Sequence, residues 1–168
     1  MYNLHLQKVQ RTLFIAEYQF FNFDFVNQLK KDIDNNIGEL SYKTNVKGKI
    51  TNFDLFIKNE IFISLLKEST EFMNIFKIKE CYLAEAWGNI LEKGEEVVSH
   101  KHEPASLCGI LYLTEGGPGT CFPEFNKFIE EKIGKIVFFN GDTEHFVPKS
   151  NFKGKRYTVS FNFFNKTY

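Results

Sequence analysis

The chain has 168 residues, 43% of them hydrophobic and 25% charged, which is the balance of a globular domain long enough to bury its own core. Its 21 basic and 21 acidic side chains cancel, so no global charge draws it to nucleic acid or to an anionic membrane. Three cysteines (Cys81, Cys108 and Cys121) without a CxxC pair argue against a disulfide framework. With a polar start and no apolar run approaching ~18 residues, the expected location is cytoplasmic.

Residues 11–21 are rich in β-branched and aromatic side chains and predict a strand, or two short ones around Glu17. Asn22 or Asp24 can cap a helix over residues 25–35, where Phe25, Val26, Leu29 and Ile33 share a face, and Gly38 ends it. Residues 39–54 are polar and predict a loop. A second helix is expected over 58–76, with Ile61, Leu65, Leu66, Phe72, Met73 and Phe76 on its apolar side. Both helices are read as packing on a sheet.

After Lys79 the pattern changes to strands. Residues 80–91 predict a long one, Lys93-Gly94 a turn, and residues 95–102 another strand. Apolar runs follow at 107–113 and 136–139, with a short strand at 120–122 between them. Gly116, Gly117 and Gly119 lack a following Lys-Ser/Thr, so they predict a connecting loop and not a phosphate cradle. Asn140-Gly141-Asp142 is a turn signal before His145-Phe146-Val147, and residues 156–164 alternate as a half-buried strand. The expectation is a single domain, residues 1–168. Its first part (1–78) carries a strand and two helices, and its second (79–168) carries seven or eight strands in a sandwich or barrel.

The segment Val97-Val98-Ser99-His100-Lys101-His102-Glu103-Pro104 carries the chemistry. Residues i and i+2 of a strand face the same way, so His100 and His102 project into one space. His145, one of only four histidines, begins another strand-like run. Iron(II) and zinc(II) both accept imidazole, and three protein ligands leave positions open for substrate, so these three histidines predict a metal site. Glu103, if a bulge re-aims it, or Asp142 is an alternative oxygen ligand. Only Arg11 and Arg156 among the 21 basic residues are arginine, and Arg156 offers the planar fork that suits the carboxylate of an anionic cosubstrate. Cys108 and Cys121 read as buried thiols, Trp87 as core, and Lys153 and Lys155 as a solvated edge.

Between Trp87 and Asn162 the chain resembles the 2-oxoglutarate/Fe(II)-dependent oxygenases, and more narrowly the branch with HxH in place of HxD. The matching pieces are Trp87-Gly88-Asn89, His100-Lys101-His102-Glu103-Pro104, and the run Leu107-Cys108-Gly109-Ile110-Leu111-Tyr112-Leu113. Then come Gly134-Lys135-Ile136-Val137-Phe138-Phe139, His145-Phe146-Val147-Pro148, and Arg156-Tyr157-Thr158-Val159-Ser160-Phe161-Asn162. The resemblance implies a mainly β (α+β) fold: a double-stranded β-helix, jelly-roll and cupin-like, with the two N-terminal helices packed on its sheet. It implies that His100, His102 and His145 hold Fe(II), chelated by 2-oxoglutarate, with O2 as oxidant. Arg156, helped by Thr158, would bind the distal carboxylate, and Tyr82 and Asn89 would line the cosubstrate pocket. The implied reaction is oxidative decarboxylation of 2-oxoglutarate coupled to hydroxylation of a prime substrate. The departure from the commoner triad is His102, a neutral ligand where a carboxylate is usual, which leaves the metal one charge more positive.

Two other readings stand beside this one. The chain fits a metal-binding cupin-like protein without 2-oxoglutarate chemistry, or a catalytically silent β-domain used for binding or assembly. The sequence favours a peptidyl residue or a small molecule as prime substrate over nucleic acid, whose phosphates call for clustered basic residues. The expected substrate-contacting loops are 39–56 and 122–133, and the oligomeric state is not written in the chain.

Overall fold

The computed structural model describes residues 14–38, 44–72 and 81–166, the side chains of 70–72 excepted. These residues form two antiparallel sheets facing each other, with two helices outside the larger one. In chain order the elements are β1 (Ile15–Gln19), α1 (Phe23–Asn36), β2 (Lys49–Ile50), α2 (Glu60–Phe72), β3 (Cys81–Leu91) and β4 (Val97–His100). Next come β5 (Leu107–Tyr112), β6 (Thr120–Phe122), β7 (Lys127–Ile129), β8 (Lys135–Asn140), β9 (His145–Val147) and β10 (Arg156–Asn165). The larger sheet runs β1-β8-β5-β10-β3-β2 and the smaller β4-β9-β6-β7. The facing sets β8-β5-β10-β3 and β4-β9-β6-β7 are the double-stranded β-helix.

The alternation in β10 shows why this sequence makes two layers. Tyr157, Val159, Phe161 and Phe163 join the core beneath the helices. Their neighbours Arg156, Thr158, Ser160 and Asn162 line a cavity between the sheets. A strand that is apolar on one side and polar on the other can separate a helix-covered core from a wet interior. The helices supply the cover: α1 buries Val26, Leu29 and Ile33, and α2 buries Phe62, Leu65 and Leu66. A second apolar cluster, including Cys108, Ile110, Tyr112, Phe122, Val137 and Phe139, closes the space between the sheets.

Several boundaries differ from the sequence reading. Asn22, not Asp24, caps α1 by accepting from the Phe25 N–H at 3.2 Å, so the helix starts two residues earlier. Asn59 does the same for α2 through the Phe62 N–H at 3.0 Å. Of the first predicted strand, residues 11–13 lie outside the described residues, as do 73–76 of the second predicted helix. Within the loop expected at 39–54, residues 39–43 are outside the described residues, and Lys49–Ile50 pairs with β3. Strand β7 lies inside the loop expected at 122–133, its three residues too few to show an alternation. With β1 and β2 the described residues carry ten strands, of which eight, β3 to β10, lie in residues 79–168.

Candidate metal centre

His100 closes β4 and His145 opens β9, and the two are direct partners across that antiparallel pair. His102 is not on a strand, contrary to expectation. The β4 ladder ends at His100 after a register shift, and the chain turns. His102 is pinned within that turn: its N–H donates to the Gly141 carbonyl at 2.7 Å and its carbonyl accepts from the Ala105 N–H at 2.7 Å. A Cβ at Gly141 would overlap the Ala105 carbonyl, so the close approach of the two turns requires glycine there. The i, i+2 pairing therefore brings the rings together through a turn, not through a pleat.

One ring nitrogen from each of His100, His102 and His145 lies within 4.8 Å of the other two. The Nε2 atoms of His100 and His102 are 3.2 Å apart. Imidazole nitrogens sharing one metal at about 2.1 Å stand roughly 3 to 3.5 Å from each other, and the His100–His102 pair stands at that spacing. The Nδ1–H of His100 donates to the Val98 carbonyl at 2.7 Å and that of His145 to the Thr143 carbonyl at 3.1 Å. These bonds fix both tautomers and turn each Nε2 lone pair toward the shared space. Among the described residues neither Glu103, in the exposed turn after His102, nor Asp142, in the turn before β9, joins the cluster.

Burial keeps the three rings neutral. It lowers the pKa of His100, lowers that of His102 to about 3 with the His100 charge adding to the effect, and holds that of His145 well below the usual imidazole value. Neutral imidazole is the form that binds metal. Behind His102 stands a polar pair: Asn162 Nδ2 lies 3.4 Å from His102 Nδ1 and donates to Glu85 Oε2 at 2.7 Å.

Across the cavity stands Arg156, 2% exposed. Its Nε–H donates to the Pro118 carbonyl at 2.8 Å, its guanidinium carbon lies 5.4 Å from the centre of the Tyr112 ring, and its Nη2 has no hydrogen-bond partner among the described residues. Glu131 sits behind it, with Oε2 4.0 Å from Nε. Burial raises the Glu131 pKa; Arg156 opposes the rise first, followed by hydrogen bonds from the Thr114 hydroxyl and the Gly117 N–H. Thr158 and Asn89 are both buried and lie opposite each other in the β10–β3 register. Asn89 Nδ2 donates to Thr158 Oγ1 at 3.3 Å and to Ser160 Oγ at 3.0 Å, and its Oδ1 accepts from the Trp87 indole at 3.1 Å.

Of the residues singled out in the sequence, His100, His102, His145, Arg156, Thr158 and Asn89 therefore line one cavity. Tyr82 does not. It sits near the far end of β3, 51% exposed, with its ring beside Phe164. The tyrosine under Arg156 is Tyr112, whose hydroxyl donates to Thr120 Oγ1 at 2.6 Å. Sequence reasoning also passed over Ser160 and Asn162, although the same alternation that links Arg156 to Thr158 reaches them. Glu131 carried no signal between its charged neighbours Glu130 and Lys132.

No family model and no curated relative matches the sequence. Solved structures do match. A viral collagen prolyl hydroxylase from Paramecium Bursaria Chlorella virus-1, in complex with 2-oxoglutarate, superposes with a TM-score of 0.68 at 15% identity, covering 89% of this chain and 94% of that one. HygX from Streptomyces hygroscopicus, with nickel and 2-oxoglutarate bound, gives 0.67 at 10% identity over 90% and 83%. A prolyl hydroxylase from Trichoplax adhaerens, in complex with a hypoxia inducible factor peptide fragment, gives 0.61 at 13% over 90% and 83%. At these identities the likeness is one of fold, and the chain has the double-stranded β-helix architecture of these proteins.

Proposed function

We propose that the protein is a metal- and 2-oxoglutarate-dependent oxygenase, a hydroxylase in type. The observation that carries the reading is a buried arginine whose Nη2 has no hydrogen-bond partner among the described residues, facing a cavity whose other side presents three imidazoles. A diacid with one end on a metal and the other on a guanidinium is the ligand such a cavity suits. Two of the matching structures hold 2-oxoglutarate, which supports the same choice.

In this reading His100, His102 and His145 hold Fe(II), and Arg156 with Thr158 binds the distal carboxylate of 2-oxoglutarate. Bound together, the iron and 2-oxoglutarate supply the reduction of O2, with one oxygen atom leaving in succinate alongside CO2 and the other inserted into a C–H bond of the substrate. The chain's own residues position the parts and exclude water. Asn89 orients the Thr158 hydroxyl, Trp87 holds Asn89, and Tyr112 with Glu131 fixes the guanidinium. The cavity has a volume of about 40 Å³, room for only a few waters.

The test is an anaerobic Fe(II) titration with 2-oxoglutarate, following the weak visible charge-transfer band of the chelate. A band in the parent protein that is lost in both Arg156→Ala and His145→Ala is expected. The second reading, a cupin-like metal protein, is favoured by one observation: all three nitrogens come from neutral side chains. It predicts metal binding without the band. No metal binding at all would leave a β-domain for binding or assembly. The prime substrate proposed is a peptidyl residue or a small molecule.

A further inference from the structure

Beside the histidine cluster lies a second cavity of about 230 Å³, lined by His100 and His102 together with Phe53, Glu85, Trp87 and Asn162. Pockets for drug-sized ligands run from roughly 300 Å³ upward, so this one suits a side chain or a small aliphatic molecule. Its chemistry is one-sided. Among the described residues Glu85 is the only acidic group that lines it, and no lysine or arginine does. Glu85 forms no ion pair among the described residues and is held in place by Asn162 at 2.7 Å. Beside it the Phe53 and Trp87 rings meet edge-on with centroids 4.8 Å apart and an interplanar angle of 76°. The two rings give an aromatic corner next to a carboxylate.

We infer that this cavity receives an aliphatic cation, an alkylammonium or alkylguanidinium group, with its charged head on Glu85 and the aromatic corner of Phe53 and Trp87. A carboxylate accepts charge-assisted hydrogen bonds from such a head, and ring faces attract it. In the metal-free protein an anion would meet Glu85 with no lysine or arginine among the described lining residues to offset it, and a purely apolar ligand would leave that carboxylate desolvated and unpaired. With the head on Glu85, the methylene chain is the part left beside the histidine cluster. The ligand is called a substrate only on the oxygenase reading; the binding chemistry stands apart from it.

Trp87 is the only tryptophan in the chain, so its fluorescence reports on this cavity without metal, cosubstrate or turnover. The protein is titrated at constant ionic strength with n-pentylammonium, pentanol and pentanoate. A saturable change with the amine is expected, weaker by about tenfold in Glu85→Gln, which keeps the shape and the acceptor for Asn162. Phe53→Leu, which removes one ring and leaves the carboxylate, is expected to weaken the amine and not pentanol. Equal responses to all three probes, a preference for pentanoate, or no response to any of them overturns the inference. A capped lysine amide binding more tightly than n-pentylammonium assigns the cation to a peptide, and the reverse order to a free amine. Since no arm uses metal, failure here leaves the charge-transfer test untouched, and failure there leaves this one standing.

Discussion

Three neutral imidazoles held in contact make the site sensitive to acid before any metal is added. The His100 and His145 ring centroids are 4.3 Å apart and those of His100 and His102 4.7 Å. Burial lowers all three pKa values, that of His102 to about 3, while in the unfolded chain each returns to about 6.5. Below that value the unfolded chain binds more protons than the folded one, so stability rises with pH through this window and is lost as pH falls. Above about pH 7 the contribution is fully present. Each histidine adds a slope of at most about 1.4 kcal/mol per pH unit. Urea unfolding of the metal-free protein between about pH 7.5 and 5 is therefore expected to show a falling midpoint, flatter in His102→Gln. A parent midpoint that stays level down to pH 5 would show that the rings are solvated.

At the scale of the element, β10 and β5 show why the helix-side core tolerates no extra atom. Gly109 of β5 lies opposite Phe161 of β10, and a Cβ at Gly109 would overlap the Phe161 ring. That ring cannot move aside. It is fully buried and packs on Phe62, Phe138 and Phe163 at centroid distances of 5.4, 5.7 and 5.9 Å. Gly109→Ala is expected to lower the unfolding free energy by about 1–3 kcal/mol, the range for overpacked cores, measured by urea denaturation. A neutral result would mean that the ring can shift aside at little cost. The alternation of β10 was legible in the sequence because one strand carries both the core and the cavity, and the two core helices were legible from their apolar spacing. The turn at His102 was not, since nothing local separates a strand that continues from one that ends at His100. The buried pair of Glu131 and Arg156 was equally hidden, because it joins a loop to a strand across the fold. Tyr82 was misplaced because it stands seven residues from Asn89, an odd spacing that alternation puts on opposite faces, and because it lies near the far end of β3.

For the whole molecule, the two walls of the cavity belong to different sheets. His100 and His145 come from the smaller sheet and His102 from the turn that leaves it, whereas Arg156, Thr158 and Asn89 come from the larger. A metal ion alone ties together groups on one wall. A diacid held by both the metal and Arg156 would tie the two walls to each other. Ligands that bind only the folded state stabilise it by mass action, by about 2.7 kcal/mol at a hundred times the dissociation constant. Nickel(II), which does not turn over, is expected to raise the unfolding midpoint of the parent and of Arg156→Ala alike. Adding 2-oxoglutarate should give a second increment in the parent and little in Arg156→Ala. Absolute stability is a poor guide for that variant, because it also leaves Glu131 buried without its cation. The increments are the useful quantity, since the loss of the ion pair is common to every arm. Equal 2-oxoglutarate increments in the two proteins would remove Arg156 as the anchor while leaving the histidine centre intact. A nickel increment missing from both would remove the centre itself.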